Sequence, residues 1–230
     1  MFGIVLGTSF RELEIAREGD EERVVTPYGS CTLQIQGAVA YLARHGEHGV
    51  LPPHRINHHA HFFAFKTLGI DHVVSFGSVG SLRRAVPPGT LIVPYDIFAP
   101  FHVVTYHNDE IKFTVPEFDQ YWRDRVIEAL EKAELNPVKA GIYVEAMGPR
   151  FETHAEIRFF ASVGDIVGMT CAAEAALARE LNFSHAIVNM VDNYANGVGL
   201  RPLTGERFRE QVAANRQKVL AALDAIIHFI

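Results

Sequence analysis

Little in this chain invites a nucleotide cofactor, a membrane or a nucleic acid. Its 230 residues hold no Gly-x-x-x-x-Gly-Lys-Ser/Thr loop and no Gly-x-Gly-x-x-Gly opening a helix, which disfavours ATP and dinucleotides. There is no Gly-x-Ser-x-Gly elbow and no compelling nucleophile–base pair, so covalent catalysis is not expected. Cysteine is scarce. Cys31 and Cys171 lie far apart and, although one disulfide is formally possible, they read as the reduced thiols of a cytoplasmic protein. No apolar run approaches membrane-spanning length. The apolar opening Met1-Phe2-Gly3-Ile4-Val5-Leu6 has no basic residue ahead of it and runs into a turn, so a first strand is expected there rather than a signal peptide. A net charge of −6 argues against general affinity for nucleic acid, which requires basic surface to displace counterions, but a few placed donors still suffice for a small anion.

What is present suits an α/β fold. Apolar residues make up 48% of the chain and mean hydropathy is +0.07, enough to bury a substantial core and exclude disorder. Short apolar runs alternate with longer helical patterns nearly from end to end. Strands are expected at 4–6, 32–36, 38–42, 72–76, 91–94, 141–145, 165–169 and 185–191. Helices are expected at 11–17, 54–68, 118–133, 153–163, 172–181 and 204–228. The run Gly77-Ser78-Val79-Gly80-Ser81 reads as a turn, and residues 95–117 as a long loop with room for one short strand. Loops of that length are usually functional. With no linker, repeat or low-complexity stretch, one α/β domain over residues 1–230 is the economical reading.

Ligands of open α/β folds sit beyond the carboxyl ends of the strands. Those ends carry Gly7-Thr8-Ser9, Arg44-His45-Gly46, Gly77-Ser78, Met169-Thr170 and Asp192-Asn193. Glycines, small hydroxyls, one arginine and one histidine compose an oxyanion cradle, although each segment alone is equally a plain turn. Among the twelve histidines, His54 and His58 are four apart, a metal-like spacing. The companion carboxylate of a His-Glu-x-x-His site is missing, so a helix surface or subunit contact is the expected role and no metal is expected.

Gly148-Pro149-Arg150-Phe151-Glu152-Thr153, with Gly168-Met169-Thr170 further on, resembles the trimeric class of purine nucleoside phosphorylases, which includes the methylthioadenosine and methylthioinosine phosphorylases. The likeness spans nearly the whole chain, through Gly7-Thr8, Leu42-Ala43-Arg44-His45-Gly46, Pro52-Pro53-His54-Arg55-Ile56-Asn57, Val79-Gly80-Ser81-Leu82, Pro88-Gly89 and Ala173-Glu174. It implies a mixed sheet, partly closed into a barrel and flanked by helices, in subunits whose sites lie near trimer interfaces. The sequence itself leaves a homotrimer and a homohexamer both open. Inorganic phosphate is implied as co-substrate, with no cofactor. The hexameric and hydrolytic branch carries Met-Glu where this chain has Met169-Thr170, which disfavours a nucleosidase.

By position, the resemblance implies a phosphate cradle of Thr8, Arg44, His45, Ser78 and Thr170. It places Phe151 on the purine face, Met169 against the ribose and Tyr143 near the ribose hydroxyls. Phosphate would attack an oxocarbenium-like sugar as the base departs. Glu152 and Asn193 are the expected catalytic and base-reading pair. An ionised carboxylate only accepts, so Glu152 suits the N1–H of a 6-oxopurine and opposes the bare N1 of adenine. Asn193 can donate to N7, where charge builds on the leaving base. Adenine-specific relatives resemble Asp-x-Asp at positions 193–195 and lack a glutamate at 152; this chain has Asn193-Tyr194-Ala195. Gly205 stands where ordinary nucleoside enzymes place a 5′-hydroxyl histidine, and Phe208, Leu200 and Leu203 nearby would favour a 5′-methylthio group. The expected reaction is phosphorolysis of a 6-oxopurine nucleoside, methylthioinosine included. A methylthioadenosine phosphorylase is the nearest alternative, ahead of a hydrolytic nucleosidase and a silent nucleoside- or metal-binding protein.

Overall fold

A computed structural model describes residues 1–10, 19–46, 48–101 and 103–230. The chain opens on β1 (Phe2–Leu6), which pairs in parallel with β4 (Val39–Ala43) on one side and β5 (His72–Ser81) on the other. β2 (Asp20–Thr26) and β3 (Gly29–Gln36) form an antiparallel hairpin that joins the sheet through β4. β6 (Leu91–Ile92) and β7 (Asp96–Phe98) are short, and β8 (Ile142–Glu145) and β9 (Ile166–Gly168) extend the sheet beyond β5. β10 (Ser184–Tyr194) pairs with β5 along its whole length and also takes up β6. The sheet therefore branches at β5 rather than following one path. All ten of these strands belong to one mixed sheet, as expected for this α/β fold.

Five α-helices flank the sheet among the described residues, and four of them start on a side-chain cap. α1 (His58–Thr67) begins where Asn57 accepts from the Ala60 amide at 3.0 Å. α2 (Gln120–Lys132) is capped by Asp119, and α3 (His154–Val163) by a reciprocal Thr153–Glu156 capping box. α5 (Gly205–Phe229) starts at Thr204, whereas α4 (Cys171–Glu180) starts at Thr170 without using its side chain. Alternate residues of the buried strands feed opposite layers. Ile4, Val74, Phe76, Val188 and Met190 pack on Val126, Leu130, Val219 and Leu223 of α2 and α5. Val5, Leu42 and Val73 face Phe62 and Phe65 of α1 and Leu177 of α4. Each such side chain contributes roughly 1.5–3 kcal/mol by leaving water.

Several expectations change. The 54–68 helix starts at His58, because Asn57 caps there and Pro53–Arg55 forms a separate 3-10 turn. Residues 77–81 are not a turn but the second half of β5, held in register opposite Asn189, Met190, Val191 and, past a bulge, Asn193 and Tyr194. Gly77 is required by proximity: a Cβ there would lie 2.3 Å from Asn189 Oδ1. The 185–191 strand runs on to Tyr194, so Asp192 and Asn193 are strand residues at a bulge. The 91–94 strand pairs only at Leu91–Ile92. β2 had no apolar alternation to announce it, since only Val24 and Thr26 of its seven residues are buried. The helix expected at 11–17 lies outside the described residues.

Candidate active site

The carboxyl ends of β1, β4, β5, β9 and β10 converge on a cavity of about 190 Å³. Thr8, Arg44, His45, Ser78 and Thr170 line it together with Phe151, Glu152, Met169, Asn193 and Phe208. Ten of the fourteen residues given site roles from the sequence are thus brought to one space, from segments as far apart as Thr8 and Phe208.

Arg44 is 1% exposed and has a fully buried partner, Glu174. Its Nε donates to Glu174 Oε1 at 2.5 Å and its Nη2 to Oε2 at 2.8 Å, a bidentate pair. Nη1 donates to Phe76 O at 2.6 Å, and Nη2 also approaches Cys171 Sγ at 3.7 Å. Of the five guanidinium hydrogens, one on Nη1 is left over. Burial alone would lower the Arg44 pKa, but the adjacent Glu174 charge outweighs it and raises the value. Burial likewise pushes the Glu174 carboxyl up, and Arg44 and His58 together hold it well below the ordinary range. The pair carries no net charge, so the cavity offers an anion hydrogen bonds more than a bare cation. His58, whose Nδ1 is 3.6 Å from Glu174, is part of this buried support.

Gly7 lets Arg44 pass. A Cβ there would sit 2.4 Å from Phe76 O and 2.5 Å from Arg44 Nη1, and backbone cannot give way as a flexible side-chain end can. Gly7→Ala is expected to cost about 1–3 kcal/mol in urea melts and to weaken anion binding, because the strain falls on the guanidinium.

The other donors are set by local geometry. His45 Nδ1 lies 2.8 Å from Leu51 O, and since a carbonyl only accepts, Nδ1 carries a proton. Its Nε2 faces Thr8 Oγ1 at 3.4 Å. The Thr170 hydroxyl stays free of helix capping because other groups serve the α4 amides: Tyr143 Oη accepts from Thr170 N and Cys171 N, each at 3.2 Å, and Glu145 accepts from Ala172 N at 2.7 Å. Tyr143 is absent from the cavity lining, contrary to the ribose contact expected of it: it is 1% exposed, its hydroxyl oxygen turned to backbone amides. Gly205 also stands apart, exposed at the start of α5, while Phe208 one turn on reaches the cavity.

At the other wall Phe151 is 40% exposed and meets Phe208 edge-to-face, centroids 5.9 Å apart. Glu152, beside it, is 7% exposed and makes no ion pair among the described residues. Burial raises its carboxyl above the ordinary glutamate value. Asn193 Nδ2 donates to Tyr194 O at 2.9 Å, which leaves its second amide hydrogen for a ligand. A second cavity of about 550 Å³ shares Asn193 and Phe208, and Leu200 and Leu203 line it as an apolar 5′ pocket requires, but Arg207 and Gln211 line it too. Sequence reasoning passed over Asp192 and the Glu174 partnership. Both stand inside segments already noted, yet their contacts reach 114 and 130 residues along the chain.

Residues 1–228 match the model of the phosphorylase superfamily. An Archaeoglobus fulgidus protein named "Probable 6-oxopurine nucleoside phosphorylase" is 38% identical over 232 residues, covering 99% of this chain and 96% of that protein. A Methanocaldococcus jannaschii protein named "Probable S-methyl-5'-thioinosine phosphorylase" is 33% identical, covering 100% and 92%. The solved structure of methylthioadenosine phosphorylase from Schistosoma mansoni in complex with adenine superposes with a TM-score of 0.87 at 25% identity, covering 98% of this chain and 90% of that one. By its sequence and by its sheet, the chain belongs to the phosphorylase superfamily.

Proposed function

We propose that this protein is a 6-oxopurine nucleoside phosphorylase, cleaving the N-glycosidic bond with inorganic phosphate to give free base and ribose 1-phosphate or its 5-methylthio form. One observation carries the base preference: Glu152 is a buried carboxylate that forms no ion pair among the described residues, next to Phe151 and lining one cavity with Arg44, His45 and Thr170. A desolvated carboxylate that forms no ion pair has acceptor capacity to offer a donor from the ligand, and N1–H of hypoxanthine or guanine is one. The names of the two relatives point the same way.

In the proposed reaction a phosphate oxygen forms a bond to C1′ as the C1′–N9 bond breaks, and the electron pair passes into the purine. Phosphate negative charge stabilises the cationic sugar, and the spare Asn193 amide hydrogen stabilises charge at N7. Thr8, Ser78 and Thr170 hold the anion. Met169 and Phe208 exclude water around the sugar. Inorganic phosphate is the co-substrate, and no organic cofactor or metal takes part.

Assembly as a homotrimer is part of the same reading. Phe101, Val103, Ile111, Phe113 and Val115 are 59–95% exposed on one segment, an apolar surface that a neighbouring subunit would cover. A reducing, cytoplasmic setting and a role in purine salvage accord with two free thiols and such a substrate.

Rates of base release from inosine, methylthioinosine, adenosine and methylthioadenosine test the assignment. Hypoxanthine release at least ten times faster than adenine release is expected, and the better of the two inosines identifies the 5′ group. Faster adenine release would overturn the role given to Glu152.

A further inference from the structure

Asp192 is a buried acid at the edge of the anion subsite with no assigned role. It is the residue skipped in the β5–β10 ladder: Val191 stands opposite Val79 and Asn193 opposite Gly80. Bulges re-aim side chains next to active sites, and this one leaves Asp192 between Ser78 of β5 and Asn215 of α5. Ser78 Oγ donates to Asp192 Oδ2, and Asn215 Nδ2 donates to Oδ1 at 2.7 Å. The Asn215 amide is itself oriented, since its Oδ1 accepts from Gln211 Nε2 at 3.1 Å. Asp192 is 1% exposed and forms no ion pair among the described residues.

A carboxylate only accepts, and a serine hydroxyl has one proton. With that proton given to Asp192, Ser78 presents lone pairs to the cavity it lines. It then welcomes an oxygen that carries hydrogen and repels one that does not. Inorganic phosphate keeps a proton at neutral pH, whereas sulfate, of the same shape, has none. We propose that Asp192 is a positioning residue that commits Ser78 to accepting a hydrogen bond, so that the anion subsite reads the proton of phosphate and rejects fully ionised oxyanions. The proposal rests on the phosphate site proposed above and adds its selectivity. Burial pushes the Asp192 carboxyl up to about 6, which still leaves it ionised at pH 7.5.

Dissociation constants for phosphate and sulfate, measured by calorimetry at pH 7.5 on the full chain, test this without turnover. Wild type is expected to bind phosphate at least ten times more tightly than sulfate. In Asp192→Asn the new Oδ1 still accepts from Asn215, so the new Nδ2 turns to Ser78 and frees its proton for the anion. The sulfate-to-phosphate ratio of Kd should then fall about tenfold, with sulfate binding tightened. Ser78→Ala, which removes the reading group and leaves Asp192 in place, should also lower the ratio and serves if Asp192→Asn does not fold. A merely structural Asp192 would weaken both anions equally and leave the ratio unchanged, which would overturn the proposal, as would equal binding of the two anions by wild type. Wild type that binds neither anion would overturn the phosphate site itself along with it.

Discussion

Replacing Arg44 by methionine is expected to lower phosphate-dependent turnover by at least about 10²-fold and to destabilise the protein by about 3–5 kcal/mol. The two losses have separate causes. Arg44 and Glu174 are both fully buried and joined by two hydrogen bonds, so removal of the guanidinium strands a carboxylate in the core. At about 2–4 °C per kcal/mol for a chain of this size, the melting temperature should fall by roughly 6–20 °C. Activity is lost because the remaining Nη1 hydrogen leaves the cavity. The double variant Arg44→Met, Glu174→Leu separates them. With both charges gone and apolar volume in their place, most of the melting temperature should return while turnover does not. Turnover restored with stability would show that Arg44 acts only through the fold.

The second large effect is on base choice. Glu152→Gln replaces an acceptor-only group by one that can also donate, so the penalty against the adenine N1 lone pair disappears. A mismatched buried group costs about 1–3 kcal/mol, so the inosine-to-adenosine ratio of kcat/KM should narrow by roughly 10–100-fold. A pH profile adds an independent check. Burial raises the Glu152 carboxyl, and its protonated form no longer matches N1–H. Wild-type kcat/KM for inosine should therefore fall on the acid side at a higher pH than an exposed glutamate would give, and Glu152→Gln should lack that limb. An unchanged ratio and profile would mean that Glu152 does not face the base.

The alternation of strands and helices was legible in the sequence because buried strands are rich in apolar residues, as at 4–6 and at 186–188 and 190–191. Where the sequence misled, pairing had overridden local signal. Gly77-Ser78 has the composition of a turn but lies in a strand hydrogen-bonded to β10, its glycine dictated by the Asn189 side chain opposite. β2 is charged and mostly exposed, and only its hairpin partner makes it a strand. Within the site, residues in the motif-bearing segments reached the cavity. Tyr143 did not, because the α4 amides claim its hydroxyl, a demand visible only once helix and strand are juxtaposed. Asp192 owes its contact with Ser78 to a register shift that no residue pattern announces.

Phosphate, not water, is the proposed nucleophile. Phosphorus NMR of a reaction containing methylthioinosine or inosine and inorganic phosphate, with free hypoxanthine measured in the same sample, distinguishes the two nucleophiles. One sugar 1-phosphate ester per hypoxanthine released, and no release when phosphate is omitted, is the predicted result. Hypoxanthine released without phosphate, with free sugar and no phosphate ester, would contradict it.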